Sequence, residues 1–184
     1  MTERSAIFAG FGGQGILFAG TVLARAAMAE GRQLLWIPSY GPEMRGGTAS
    51  CTVIVADEPI GSPVVDLADA VIALNPPSLA KFEAILAPGG LLIVNTSLIE
   101  AEPQRTDIEV APVPCTALAR AAGDDLLVSV VALGALLARR RIVDVASARL
   151  ALTQIVESKR PEILAADLAA LEAGFAATSP VGAP

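Results

Sequence analysis

The sequence of 184 residues contains no histidine and only two cysteines, Cys51 and Cys115. Without histidine, this chain alone is excluded from Ser-His-Asp and Cys-His catalysis. The two cysteines form no C-x-x-C pair, so we expect the chain alone to hold neither an iron–sulfur cluster nor a zinc ion. We therefore predict no catalytic residue and no metal site on this chain alone, and two buried, reduced thiols.

The sequence also lacks a basic surplus and a membrane-spanning run. Asp and Glu outnumber Lys and Arg by 19 to 13, which gives a net charge of −6 and disfavours a nucleic-acid partner. The longest apolar run, residues 126–138, is shorter than the roughly 20 residues of a transmembrane helix, and the first residues do not resemble a secretory signal. We expect a cytoplasmic protein whose 53% hydrophobic content is buried partly between subunits.

The most distinctive stretch is a glycine turn, residues 10–15, which read Gly-Phe-Gly-Gly-Gln-Gly. It follows apolar residues 5–9 and precedes an alanine-rich helical pattern that ends near residue 30. This order predicts a strand, a turn and a helix, with the G-x-G-x-x-G spacing of a dinucleotide-binding turn. Glycine permits positive φ and close approach, and the helix start offers unpaired N–H groups and a positive dipole end. Such a turn suits a phosphate or carboxylate.

We predict that this anion contacts Gly12, Gly13, Gln14 and Gly15. Two other interpretations of the turn remain open. The turn either binds nothing and only packs the first helix against the sheet, or it receives the backbone of a partner chain.

A nicotinamide-binding unit requires an Asp or Glu at the end of its second strand to hold the ribose. Here the second predicted strand is followed by Pro38, Ser39 and Tyr40. Glu30 lies before that strand and Glu43 lies beyond it in a loop. NAD binding is therefore disfavoured.

The second informative stretch is the loop after that strand, which is too rich in proline and glycine for regular structure. Its candidate interface residues are Tyr40, Glu43, Met44, Arg45, Gly46 and Gly47. One interpretation is a surface loop with an incidental Glu43–Arg45 pair, which would contribute only about 0–1 kcal/mol. We favour a shaped loop whose Arg45 binds a carboxylate or phosphate and whose paired glycines allow another chain to approach closely.

Strand and helix patterns alternate along the chain. They predict an α/β, Rossmann-like three-layer fold with a mostly parallel sheet, right-handed crossovers and a helical C-terminal segment. The predicted strands are 5–9, 33–37, 48–56, 69–75, 91–95 and an edge strand at 108–112. The predicted helices are 14–30, 78–86, 114–122, 124–141, 143–157 and 161–175. We expect one domain over residues 1–175, a turn at 88–90 and a flexible tail at 176–184.

Three motifs together resemble the gamma subunit of 2-oxoacid:ferredoxin oxidoreductases. They are the glycine turn, Ser-Tyr-Gly-Pro-Glu-Met-Arg-Gly-Gly at 39–47 and Ala-Leu-Asn-Pro-Pro-Ser at 73–78. Residues 88–95 and 131–137 are also similar to that subunit, so the resemblance extends from about residue 7 to residue 137. The second motif, at its proper distance from the first, is the most specific of the three.

The resemblance implies an enzyme that decarboxylates a 2-oxoacid on thiamine diphosphate, transfers the acyl group to coenzyme A and reduces ferredoxin through iron–sulfur clusters. It also implies alpha and beta partner subunits, with a delta chain in some members, which hold the thiamine, magnesium and cluster sites. On this interpretation the isolated chain is inactive. Gly12–Gly15 and the Tyr40–Gly47 loop then face the partners and shape the entrance for coenzyme A. The candidate ligand of the glycine turn is then a phosphate of coenzyme A or a carboxylate of a partner chain.

The alternative from a different class is a stand-alone nucleotide-binding module or a small NAD-dependent oxidoreductase. The glycine turn supports this alternative. The missing ribose acid, the missing histidine base and the short segment after the sheet oppose it.

Overall fold

The computed structural model describes residues 3–39, 48–158 and 160–178. The described part contains a single sheet of six strands. The strands are β1 (Arg4–Phe11), β2 (Gln33–Ser39), β3 (Thr48–Ala56), β4 (Ala68–Ala73), β5 (Leu86–Asn95) and β6 (Glu109–Val113).

Helices follow β1, β4 and β6 in the described part of the chain. They are α1 (Ile16–Ala29), α2 (Pro76–Phe82), α3 (Cys115–Ala122), α4 (Val128–Arg139), α5 (Val145–Glu157) and α6 (Leu164–Thr178). Short 3-10 turns at Asp125–Leu127 and Pro161–Ile163 lead into α4 and α6, and a third, Glu83–Ile85, follows α2. None of the helices described here is both long and apolar enough to cross a membrane.

The spatial order of the strands is β2-β3-β1-β4-β5-β6. Strands β1, β4, β5 and β6 are parallel, whereas β3 is antiparallel to both of its neighbours. A short connection between β2 and β3 explains the reversal, because parallel neighbours need a longer crossover. The predicted α/β fold with a mostly parallel sheet and a helical C-terminal segment is confirmed, and β6 is the edge strand expected at 108–112.

The sheet separates two apolar layers of unequal size. On one face, side chains such as Phe8, Ile72 and Ile93 pack against α1 and α3–α6. On the opposite face, Ile7, Val71 and Leu92 pack against Leu79 and Phe82 of α2. This alternation within β1, β4 and β5 is the period-2 pattern of strands that are buried on both faces.

A glycine on the buried face of α1 brings this helix close to the sheet. A Cβ atom at Gly20 would lie 2.5 Å from Sγ of Cys51 on β3 and 3.2 Å from Nε1 of Trp36 on β2. A larger residue would therefore push the helix away from both strands. The stability lost by placing glycine in a helix is offset by this closer packing.

A second close approach joins α4 and α6 through two reciprocal glycines. A Cβ atom at Gly134 would overlap the carbonyl oxygen of Leu171, and one at Gly174 would overlap the carbonyl oxygen of Val131. The two helix backbones are therefore in direct contact. All four of these residues are buried, and the contact fixes α6 against the core.

Three predicted boundaries were wrong. The turn expected at 88–90 lies within β5, where the pairing with β4 shifts register and Gly89 has a φ of +73°. The helix expected at 78–86 begins at Pro76 and ends at Phe82, because β5 starts at Leu86. Helix α6 continues to Thr178, which is 8% exposed, so the first three residues of the expected tail belong to the fold. Residues 179–184 lie outside the described residues.

Both cysteines are free and buried, as predicted. Burial raises the pKa of Cys51 to about 12, and it likewise raises that of Cys115 to about 12. At pH 8 almost no reactive thiolate is present, because that pH lies far below both values. We expect Ellman's reagent to modify neither thiol in the native chain within minutes and both in guanidinium chloride. Rapid modification of the native chain would contradict this expectation.

Candidate functional site

The strands β1 and β4 form a topological switch point, where open α/β sheets have a ligand crevice outside the carboxyl ends of the strands. These neighbouring strands are parallel, but β1 leads into α1 on one face and β4 leads into α2 on the other. From these two neighbouring strands the chain therefore continues to opposite faces of the sheet. Open α/β sheets bind ligands at such a switch point, outside the carboxyl ends of the strands.

The glycine turn forms one side of this crevice. The backbone N–H of Gln14 donates to the carbonyl of Phe11 at 3.2 Å, and Oε1 of Gln14 accepts from the N–H of Phe11 at 2.7 Å. A Cβ atom at Gly10 would lie 2.5 Å from Oε1 of Gln14 and 3.1 Å from Cβ of Leu74. The Gln14 side chain is thus folded inward and closes the turn, which keeps its amide oxygen from a ligand outside.

Gly13 and Gly15 have positive φ angles of +97° and +74°, but the two residues have different surroundings. At Gly15, a Cβ atom would lie 2.6 Å from Oγ of Ser129, and that hydroxyl donates to the Gly15 carbonyl at 2.9 Å. The turn is therefore tied to α4. At Gly13 no atom lies within 4 Å of a built Cβ, so its backbone is open to an approaching group.

The N–H groups of Gly12 and Gly13 take no part in the hydrogen bonds of the described residues. They lie just before α1, whose first N–H groups have no partner within the helix. Gly15, the N-cap residue, has no side chain that caps them. These donors and the positive end of the helix dipole favour an anion.

Two buried polar side chains lie on the other side of the crevice. Asn75 follows β4 and caps α2, because its Oδ1 accepts from the N–H of Ser78 at 2.8 Å. Both residues are 0% exposed, yet Nδ2 of Asn75 and Oγ of Ser78 have no partner among the described residues. Buried polar groups without partners are rare.

Sequence reasoning assigned Asn75 and Ser78 only to the start of a helix and did not select them as site residues. The available signal was the polar Asn-Pro-Pro-Ser run directly after a buried strand. Asn95, at the end of β5, continues the polar row along the same edge. Its Nδ2 donates to the Leu74 carbonyl at 3.2 Å and to Oγ1 of Thr116 at 3.0 Å.

The second predicted loop lies outside the described residues, and this applies to Tyr40, Glu43, Met44, Arg45, Gly46 and Gly47. The strands that flank it are described. Ser39 ends β2 opposite Ser50, and Thr48 begins β3 opposite Phe11. The chain therefore leaves and re-enters the sheet at the edge where the glycine turn lies.

The arginine run at the end of α4 is not a free anion site. The Nε group of Arg139 donates to Oε1 of Glu109 at 2.7 Å, and Nη1 of Arg140 lies 2.7 Å from Oε2 of the same carboxylate. Burial would raise the pKa of Glu109, but the two guanidinium groups outweigh it and hold that pKa below its usual value. Arg141 pairs with Asp144.

The donor set of this chain does not fit an iron–sulfur cluster. Its only two thiols are buried on separate elements, Cys51 on β3 and Cys115 at the start of α3, whereas such clusters require about four cysteine ligands. Within residues 3–39, 48–158 and 160–178, no group of three or more Cys, Asp or Glu is arranged to hold a metal ion.

The fold defines a Rossmann-like α/β protein with a glycine turn at its switch point. The chain matches the family described as "Pyruvate ferredoxin/flavodoxin oxidoreductase" over residues 5–177, and it belongs to that family. The resemblance that its motifs indicated is therefore confirmed.

Relatives that match most of the chain carry subunit names. The 2-oxoglutarate synthase subunit KorC of Methanothermobacter thermautotrophicus is 34% identical over 173 residues, which cover 90% of each chain. The ketoisovalerate oxidoreductase subunit VorA of the same organism is 43% identical over 130 residues. This match covers 71% of the present chain but only 27% of VorA, so the chain spans about a quarter of that relative.

Solved structures agree with the family assignment. A keto/oxoacid ferredoxin oxidoreductase gamma subunit from Geobacter sulfurreducens matches with a TM-score of 0.85 and 30% identity over 97% of both chains. A 2-oxoglutarate:ferredoxin oxidoreductase from Magnetococcus marinus, described with 2-oxoglutarate, coenzyme A and succinyl-CoA bound, matches with a TM-score of 0.87. At 24% identity over 97% of this chain and 31% of that one, it supports the fold alone.

The NAD-dependent alternative is disfavoured by the position of Glu30. This residue caps the end of α1, and its Oε1 accepts from the N–H of Asp144 at 2.7 Å. It is therefore bound at the end of the helix that precedes β2. Strand β2 itself ends at Ser39, where a ribose-binding acid is expected in a nicotinamide enzyme.

Proposed function

We propose that the chain is the gamma subunit of a cytoplasmic 2-oxoacid:ferredoxin oxidoreductase that converts a 2-oxoacid to an acyl-CoA. The family match and the gamma-subunit fold support this role, and the two reduced thiols suit the cytoplasm. Partner subunits, alpha and beta and in some enzymes delta, supply thiamine diphosphate, magnesium and the iron–sulfur clusters. The proposed single domain over residues 1–175 extends to Thr178, where α6 ends.

The observation that carries the proposed contact with coenzyme A is the open glycine turn at the switch point. The N–H groups of Gly12 and Gly13 bind a phosphate of coenzyme A at the entrance to the thiamine site, while Gly15 and Gln14 hold the turn in shape. A phosphate suits this position because unpaired N–H groups and the start of α1 favour negative charge.

The loop from Tyr40 to Gly47 contributes the second half of this surface. Of its two flanks, Thr48 pairs with Phe11 at the start of the glycine turn, and Ser39 lies one strand further away, opposite Ser50. In the proposal Arg45 contacts an anion on the partner or on coenzyme A, and Glu43 orients it. Tyr40 and Met44 pack against the partner, and Gly46 and Gly47 let it approach closely.

Co-expression with its partner subunits tests the role directly. We expect the tagged chain to co-purify with a thiamine-containing partner and to show no ferredoxin reduction when purified alone. Adding the chain to the remaining subunits should restore CoA-dependent acyl-CoA formation. Turnover by the isolated chain, or micromolar NADH binding without any partner, would favour the stand-alone alternative.

A further inference from the structure

A cavity adjoins the glycine turn, between α1, α5 and α6. We call it the Asp167 pocket, and its volume is about 320 Å³, at the lower end of the roughly 300–1,000 Å³ typical of ligand pockets. Its apolar walls are formed by Phe18, Leu126, Leu127, Ile155, Val156 and Ile163. Gly13, Gly15, Asp124, Arg160 and Asp167 complete the lining.

Asp167 is the unusual member of this lining. It is 1% exposed, and its Oδ2 has no hydrogen-bond partner among the described residues. Burying a carboxylate without a partner is costly, and its position in the first turn of α6 offsets only part of that cost through the helix dipole. A ligand with a hydrogen-bond donor close to this oxygen would remove the remaining cost of burying the carboxylate.

The other charged groups narrow the chemistry of that ligand. Burial raises the pKa of Asp167, the positive charge of Arg160 lowers it, and the negative charge of Asp124 raises it. Asp124 is already engaged, since its Oδ1 accepts from the N–H of Leu126 at 2.9 Å. Among the described residues of the lining, two acids and one exposed base give a net negative charge when Asp167 is ionised, which disfavours an anion beside that carboxylate.

We propose that the Asp167 pocket binds a small organic amine. Its ammonium group donates to the Asp167 carboxylate, and its apolar part packs against the surrounding aliphatic and aromatic side chains. The pocket adjoins the glycine turn, since Gly13 and Gly15 belong to its lining. Its buried carboxylate favours a cation, whereas the unpaired N–H groups of Gly12 and Gly13 favour an anion. The site does not depend on the proposed enzymatic role, because all of its described walls belong to this chain.

Titrations of the full chain with 2-phenylethylamine and phenylacetate test the proposal. The two probes are similar in size and differ in the sign of their charge. We expect millimolar or tighter binding of the amine, with NMR shifts concentrated at the amides of Gly13 and Gly15, and no saturable binding of phenylacetate. Equal binding of both probes, or no saturable binding of the amine by the folded chain, would overturn it.

The matched variant is Asp167→Asn, which keeps the shape and removes the charge. We expect it to raise the Kd for the amine about tenfold or more. Should this variant fail to fold, Ile163→Phe provides a second test, because it fills the cavity and leaves the carboxylate in place. Ile163→Phe should also weaken the amine, and unchanged affinity in either folded variant would contradict the assignment.

Discussion

Replacing Gly134 with alanine should lower the free energy of unfolding by about 3 kcal/mol, the upper part of the usual range for overpacked cores. The added methyl group would overlap the carbonyl oxygen of Leu171, which belongs to helix backbone and has no rotamer with which to move away. Helices α4 and α6 would have to separate. Thermal unfolding should show a fall in Tm of roughly 6–12 °C for a domain of this size.

Gly61→Ala is the matched control for this prediction. Gly61 is exposed and no atom lies within 4 Å of a Cβ built there, so its Tm should change little. Gly174→Ala should resemble Gly134→Ala, because its methyl group would overlap the Val131 carbonyl. The double variant should lose less stability than the two single variants together, since one separation of the helices relieves both overlaps. A Tm of Gly134→Ala equal to that of Gly61→Ala would show that α6 adapts freely.

Introducing a negative charge at Gly13 should raise the KM for coenzyme A in the assembled enzyme about tenfold or more. A carboxylate there lies beside the N–H groups that we assign to the phosphate. Even in a partly exposed site, like charges about 4 Å apart repel by roughly 1–4 kcal/mol. The measurement compares Gly13→Asp with Gly13→Asn in CoA-dependent acyl-CoA formation at low ionic strength, where screening is weakest.

The Asn variant isolates the charge because both side chains have the same shape and tolerate the left-handed φ of +97° better than most residues. Oxidation of the 2-oxoacid in the absence of coenzyme A should be the same in both variants. Equal KM values would argue against phosphate binding. Loss of subunit assembly in both variants, with unchanged coenzyme A affinity in the remaining complex, would favour a purely packing role for the turn.

Local patterns predicted those features whose causes are local. The glycine turn follows from the residues at 10–15, which lie between an apolar run and an alanine-rich helical pattern. The helix predicted from residue 78 is present as α2, which begins two residues earlier, at Pro76, after the Asn75 cap. Each depends on backbone conformation or helical periodicity within a few residues.

The remaining features depend on residues that are distant in sequence. Nothing within 48–56 specifies that β3 lies between β1 and β2, because that position follows from pairing with both. Asp167 has the sequence context of an ordinary acid in a helix. It is buried beside residues of α1, α5 and the turn that precedes α4, and no pattern within a single helix indicates that packing.

The strand order has a consequence for how the chain acquires its structure during synthesis. Strand β1 lies inside the sheet, β3 and then β2 extend it on one side, and β4, β5 and β6 extend it on the other in the order in which they emerge from the ribosome. Once β3 has paired with β1, the later strands β4, β5 and β6 each pair with a strand that is already in the sheet. Such stepwise growth limits the time during which an unpaired hydrophobic edge is exposed to aggregation.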